Sequence, residues 1–97
     1  MSQHSYIVAY DIADDKRRTQ VYQYLRGWGD HLQYSVFRVL ASATELARIR
    51  AALHDRIDHR ADQILLFNLG PSDGRARGSV TSLGLPYTHP ERHAVVV

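Results

Sequence analysis

The stretch YIVAYDIADDKRRTQVYQYL, residues 6–25, decides the fold. An apolar run from Tyr6 to Tyr10 ends on a carboxylate, Asp11, and two more acids, Asp14 and Asp15, precede the basic cluster Lys16, Arg17 and Arg18. His4 to Asp11 reads as a strand, with Ile7 and Ala9 on one face and Tyr6, Val8 and Tyr10 on the other. A strand apolar on both faces belongs in the middle of a sheet, covered on each side. Asp14 or Asp15 then caps a helix, because a carboxylate at that place accepts from backbone N–H groups that have no partner inside the helix. Val21, Tyr24, Leu25 and Trp28 recur at helical spacing as its buried stripe, and Gly27 and Gly29 stop it.

Working outward, HLQYSVFRVLA (residues 31–41) is rich in β-branched and aromatic side chains and reads as one long strand, or two short ones broken near Ser35. Ser42 followed by Glu45 is a capping box for a second helix. That helix is expected to run to about Ile57, burying Leu46, Ile49, Leu53 and Ile57 and presenting Arg48, Arg50, Asp55 and Arg56 to solvent. DQILLFNLG (residues 62–70) is a further strand apolar on both faces, and residues 70–78 read as a flexible loop. A short strand SVTSLG (residues 79–84), a turn around Pro86 to Pro90 and the terminal run RHAVVV (residues 92–97) complete the chain. The order predicts an α+β, ferredoxin-like β-α-β-β-α-β domain over residues 1–97 with an extra C-terminal strand. Two strands apolar on both faces, and a terminal AVVV too apolar for a free tail, call for burial by a second copy, hence a homodimer.

Composition narrows the function. Ninety-seven residues, 44% hydrophobic and 23% charged, make one folded domain rather than a disordered chain. The absence of cysteine excludes a disulfide framework and a cysteine-ligated zinc site. No apolar run approaches the roughly 20 residues needed to span a bilayer, and the start MSQHS lacks a signal-peptide pattern, so a cytoplasmic protein without a membrane partner is expected. Twelve basic against ten acidic residues give a net charge of +2, and all the cations but Lys16 are Arg, whose planar fork suits phosphate. Codon bias in a GC-rich genome would produce the same Arg excess. No glycine loop followed by Lys-Ser or Lys-Thr is present, so phosphate cradling by a P-loop is excluded. The six histidines are scattered, and His54 with Asp58 reads as a solvated helix face.

Asp11 is the candidate for chemistry. Asp14 and Asp15 are better placed to cap the helix, which leaves Asp11 over at the rigid end of a central strand. One carboxylate is a poor metal site, but two copies meeting near a dimer axis would repel each other, and a divalent cation such as Mg²⁺ relieves that repulsion. Arg17 and Arg18 would hold a phosphodiester against the metal. Arg38, and Arg75 and Arg77 in the glycine-rich loop, are further candidates for phosphate contact. None lies on a helix patterned for major-groove readout, so binding should be insensitive to base sequence.

These residues also resemble a known family. YDIADDKRRTQVYQYLRGWGDHLQYSVF is similar to the signature of the small CRISPR-associated adaptation nucleases, the second of the two core proteins that install spacers in CRISPR arrays. The shared pattern is Tyr10-Asp11-Ile12, the pair Arg17 and Arg18 opening a helix, Gly29, and Gln33, Ser35, Val36 and Phe37 four residues further on; Ser82 to Gly84 fits the family's later region. The resemblance implies a ferredoxin-like homodimer whose C-terminal strand, about residues 92–97, packs on the other subunit. It implies Asp11 as the Mg²⁺-binding, catalytic residue, supported by Tyr10, Ser35 and Phe37. It further implies metal-dependent cleavage of RNA or DNA, duplex-DNA binding, and a partnership with the CRISPR integrase, whose dimers the protein bridges. Arg38 departs from the family's usual Glu after the Phe and adds positive charge. Two other readings stand beside this one: a non-catalytic DNA-binding scaffold in which Asp11 is structural, and a toxin-like messenger-RNA endoribonuclease.

Overall fold

The computed structural model describes residues 2–72 and 81–85. The elements run β1 (His4–Asp11), α1 (Asp15–Arg26), β2 (Gly29–Gln33), β3 (Val36–Ala41), α2 (Ala43–His54) and β4 (Gln63–Pro71). The four strands form one sheet in the order β2-β3-β1-β4, each antiparallel to its neighbour. Both β1 and β2 are antiparallel to β3 and so run the same way with β3 between them, which makes β1-α1-β2 a split crossover and the whole a ferredoxin-like arrangement.

Local chemistry explains where the elements begin. Asp14 is the N-cap of α1, its carboxylate accepting from the Arg17 backbone N–H at 2.9 Å, and Asp15 adds negative charge in the first turn. The capping box of α2 is complete: the Glu45 N–H donates to Ser42 Oγ at 3.2 Å and the Ser42 N–H donates to Glu45 Oε1 at 2.9 Å. That backbone hydrogen bond from Ser42 holds the Glu45 carboxyl below its ordinary value.

The core lies between the sheet and the helices. Tyr6, Val8, Tyr10 and Ile12 point from β1 and its extension toward Val21 and Leu25 of α1 and Ile49 and Leu53 of α2, with Phe37, Val39 and Ala41 of β3 beside them; all are buried. Tyr24, Trp28, Leu46 and Ile57 pack partly buried at its margin. The opposite face is also apolar. Ile7 and Ala9 of β1 stand opposite Phe67 and Leu65 of β4, and Val36 and Leu40 of β3 continue the patch on either side of Arg38, which pairs with Ile7 and is buried. Leu40, Leu65 and Phe67 remain 42%, 45% and 50% exposed.

Several boundaries differ from the sequence expectations. The segment 31–41 takes the second of its two readings, two strands separated by a turn at Tyr34 and Ser35, and the first of them begins earlier, at Gly29. Helix α2 ends at His54 with Asp55 as its cap, and Ile57 reaches the core from the following turn rather than from the helix. Gly27 does end α1, but with φ −72°, an ordinary right-handed value. Gly29 belongs to β2 and has a different reason: a Cβ there would stand 2.1 Å from the Arg38 carbonyl oxygen, so only glycine lets the two strands approach. Residues 81–85 are a bend rather than the end of a strand. The terminal run 92–97 and most of the glycine-rich loop, with Arg75 and Arg77, lie outside the described residues. Among the described residues no helix is long and apolar enough to cross a membrane.

Candidate active site

Strand β1 delivers Asp11 to its C-terminal end, between β3 and β4, where Asp11 pairs in register with Gln63, the first residue of β4. Strand alternation puts Asp11 on the same side as Ile7 and Ala9, and its side chain is exposed. It stands at the edge of a cleft of about 440 Å³ lined by Tyr10, Asp11, Ile12, Arg18, Thr19, Tyr22, Tyr34 and Ser35. Of the residues singled out in the sequence, Tyr10, Asp11, Arg18 and Ser35 therefore meet in one place, with Phe37 beneath them.

The supporting residues have definite tasks. The Tyr10 N–H donates to the Ser35 carbonyl at 3.0 Å, tying the β2–β3 turn to the strand that carries Asp11. Tyr10 stacks on buried Phe37, ring centroids 6.3 Å apart. Burial pushes the Tyr10 phenol above its ordinary pKa; neighbouring Tyr22 adds to the shift and Arg18 opposes it. Arg18 is anchored but open: one Nη donates to the Ile12 carbonyl at 2.9 Å, the other meets the Asp15 carboxylate, and 44% of the side chain is exposed. Its remaining donors are available to an anion at the cleft.

Arg17 and Arg38 are placed differently from the phosphate-binding role expected of them. Arg17 turns to Asp62, its Nε donating to Oδ2 at 2.8 Å and its Nη2 to Oδ1 at 3.2 Å. Arg38 is only 5% exposed, and its Nε donates to buried Ser5 Oγ at 3.1 Å across the β1–β3 pair. Arg38 is thus enclosed in the sheet instead of facing a ligand.

Asp62 is the residue that sequence reasoning missed. Its carboxylate has no exposed surface. Besides Arg17 it accepts from the Ala13 N–H at 3.1 Å, in the turn just after Asp11, and from the Asp58 N–H at 2.9 Å. The hydrogen bond from Arg17, helped by these backbone donors, holds the Asp62 carboxyl well below the usual carboxylate range. The same bond raises Arg17 above its ordinary value. Asp62 therefore fixes the β1–α1 turn against the entrance to β4, on both sides of Asp11.

Asp11 supplies one hard oxygen donor, and among the described residues no group of three or more His, Cys, Asp or Glu side chains is arranged to hold a metal ion. A single exposed carboxylate suits Mg²⁺, which keeps several waters and takes one or two carboxylates, better than it suits zinc, whose sites use three or four protein ligands.

Comparison with known proteins places the chain and its fold in a family. The model of the family described as CRISPR associated protein Cas2 matches residues 4–76. A CRISPR-associated endoribonuclease Cas2 of Rhodospirillum rubrum is 35% identical over 96 residues, covering 99% of this chain and 93% of that protein. One from Geobacter sulfurreducens is 32% identical over 95 residues, covering 98% and 99%. Among solved structures, a hypothetical protein from Thermus thermophilus superposes with a TM-score of 0.75 at 30% identity, covering 92% of this chain and 99% of that one. Streptococcus pyogenes Cas2 superposes with a TM-score of 0.73 at 27% identity, covering 82% and 99%.

Proposed function

The chain belongs to the CRISPR-associated Cas2 family, and we propose that it is a cytoplasmic, Mg²⁺-dependent endonuclease that hydrolyses phosphodiester bonds of RNA or DNA at Asp11. The observation that carries this reading is the placement of Asp11: an exposed carboxylate at the rigid end of a central strand, beside a cleft that also presents Arg18. The relatives from Rhodospirillum rubrum and Geobacter sulfurreducens are CRISPR-associated endoribonucleases by name, which supports nucleolytic chemistry.

The division of labour follows from the geometry. Asp11 is the residue that would hold the cation, and Mg²⁺, when bound, supplies charge neutralisation of the phosphate and a more acidic water. Arg18, fixed in orientation by the Ile12 carbonyl, offers its free N–H groups to a phosphate oxygen. The ion pair between Arg17 and Asp62 and the Ala13 hydrogen bond keep the turn after Asp11 in place, so the carboxylate does not have to be ordered at the moment of reaction.

The reading includes a homodimer. The exposed apolar face of Ile7, Ala9, Leu40, Leu65 and Phe67 lies on the Asp11 side of the sheet. A second copy covering that face brings two Asp11 carboxylates toward one axis, the number Mg²⁺ commonly takes from protein. Family membership also supports a role in CRISPR adaptation, with the dimer holding duplex DNA and bridging dimers of the CRISPR integrase. A non-catalytic scaffold is the second reading, favoured by the absence, among the described residues, of any group of three or more His, Cys, Asp or Glu side chains placed to hold a metal ion.

The test is a cleavage panel: end-labelled single- and double-stranded RNA and DNA, incubated with the purified protein in Mg²⁺ or in EDTA. Products that appear only with Mg²⁺ support the nuclease. A preparation that binds these substrates but cleaves none of them supports the scaffold.

A further inference from the structure

The cleft beside Asp11 has an aromatic lip that holding a metal does not require. Tyr34 sits at the tip of the β2–β3 turn, 90% exposed. Its φ is +30°, a left-handed conformation in which a side chain bearing a Cβ is strained and which Gly, Asn or Asp adopts more readily. A turn with no task beyond joining two strands would be easier to make with one of those residues.

The turn is nevertheless held firmly. The His31 Nε2 is 2.7 Å from the Tyr34 carbonyl oxygen, to which it donates, and the next carbonyl, that of Ser35, accepts from Tyr10. The His31 ring in turn meets Tyr22 edge-on at 5.1 Å and Phe37 at 5.0 Å. Tyr22 also packs edge-on against Phe37 at 5.6 Å. Hydrogen bonds from His31, itself exposed, and Tyr10 thus support the backbone of a residue whose own side chain is left to solvent. The lining that Tyr34 joins includes Asp11, at its edge, and the anchored, half-exposed Arg18.

An aromatic side chain on a hydrogen-bonded turn, with an anchored cation in the same cleft and Asp11 at its edge, matches one kind of ligand. The flat apolar faces of a nucleobase stack on Tyr, while the phosphate attached to it meets Arg. Inside a duplex those faces are covered by neighbouring base pairs, so only an unpaired base reaches such a platform. The cleft volume of about 440 Å³ falls in the range of roughly 300–1,000 Å³ typical of small-ligand sites. We infer that this cleft is a nucleobase subsite: Tyr34 stacks an unpaired base of a single-stranded segment and sets the adjoining phosphate beside Arg18 and Asp11. The inference rests on the nucleic-acid reading above and adds a preference for single-stranded substrate at this position.

Fluorescence anisotropy in EDTA tests it without any turnover, using labelled RNA and DNA single strands, the same strands with internal abasic sites, and a duplex. Replacing Tyr34→Ala should weaken binding to base-bearing single strands about 5- to 150-fold. Tyr34→Phe should stay within about twofold of wild type, because stacking uses the ring and not the hydroxyl. Abasic strands should bind wild type more weakly than base-bearing strands, with the difference lost in Tyr34→Ala, and duplex affinity should be equal in all three proteins. Unchanged single-strand affinity in Tyr34→Ala overturns the subsite, as does an equal loss for duplex or an equal loss in Tyr34→Phe. Unchanged affinity in that variant is also the outcome expected if the exposed ring served a protein partner. Failure of wild type to bind any of these nucleic acids overturns the underlying reading as well, so the two failures are distinguishable.

Discussion

Asp62 and Arg17, 45 positions apart in sequence, form a two-point ion pair, Nε to Oδ2 at 2.8 Å and Nη2 to Oδ1 at 3.2 Å. The carboxylate of this pair is enclosed and also caps the Ala13 N–H, so one side chain links the turn after Asp11 to the entrance of β4. Its acid–base behaviour gives a first prediction. The Asp62 carboxyl is depressed in the folded state relative to about 3.9 in an unfolded chain. Below that value the unfolded chain binds a proton that the folded one does not, so stability rises with pH there. The contribution is fully present above about pH 4 and is lost as pH falls toward the low folded-state value. Asp62→Asn should therefore be less stable than wild type at pH 7, and its stability should fall less steeply between about pH 4 and pH 2. Urea melts across that range check it; parallel pH profiles for the two proteins would contradict it.

The two neighbouring arginines should separate in their effects. Arg18 has exposed donors at the cleft, whereas the Arg17 fork is occupied by Asp62. Arg18→Ala should flatten the dependence of log affinity on log salt for duplex DNA by about 0.9 with little change in melting temperature. Arg17→Ala should lower the melting temperature because it leaves an enclosed carboxylate without its partner, and should leave the salt slope near that of wild type. Titrations at several salt concentrations, with melts of the same preparations, decide between this pattern and one in which both arginines contact phosphate equally.

Gly29 and Gly27 flank Trp28 but should respond differently. A Cβ at position 29 meets backbone atoms of Arg38 and the Val39 side chain, the nearest at 2.1 Å. Gly29→Ala should cost at least about 1–3 kcal/mol, since β2 must move away from β3. At position 27 the nearest atom is the Tyr24 carbonyl oxygen at 3.4 Å and φ is ordinary, so Gly27→Ala should change stability by less than about 1 kcal/mol. Thermal melts of the two variants make the comparison.

The apolar outer face should govern association. Phe67 and Leu65 together present a half-exposed surface opposite Ile7 and Ala9. If two copies meet there, Phe67→Glu places a charge at the contact in both copies and should raise the dimer dissociation constant at least about tenfold. Light scattering over a dilution series measures it. A variant with the wild-type mass at every concentration would move the interface elsewhere.

Legibility in the sequence tracks the distance between interacting residues. Strand β1, the Asp14 cap and the capping box of Ser42 and Glu45 rest on alternation or on partners three residues apart, and each is readable along the chain. The split between β2 and β3 was visible as a break near Ser35. The end of α2 was misread because apolar spacing continues to Ile57 after the backbone has left the helix at His54. Asp62 was invisible as a site residue for a deeper reason: its partners Arg17 and Ala13 are 45 and 49 positions away, and at the head of an apolar strand an acid reads as a boundary. Arg38 reads as a surface cation because alternation sets it on the outer face with Val36 and Leu40; its enclosure there beside Ser5 of β1, 33 positions away, is not visible along the chain. Tyr34 passed unnoticed within the family pattern, where its position is unspecified, and its left-handed φ is set by contacts with the strands on either side.

The central claim is that Asp11 holds the cation on which cleavage depends, and a Mg²⁺ titration of single-turnover cleavage by wild type and Asp11→Asn tests it most directly. The substitution keeps the shape of an exposed side chain and removes its charge, so circular dichroism, melting temperature and dimer mass should be unchanged. Wild type should show a rate that rises with Mg²⁺ and saturates, and Asp11→Asn should remain at the no-metal background throughout. A folded Asp11→Asn protein, purified free of contaminating nuclease, that cleaves with the wild-type rate and Mg²⁺ dependence would contradict the account.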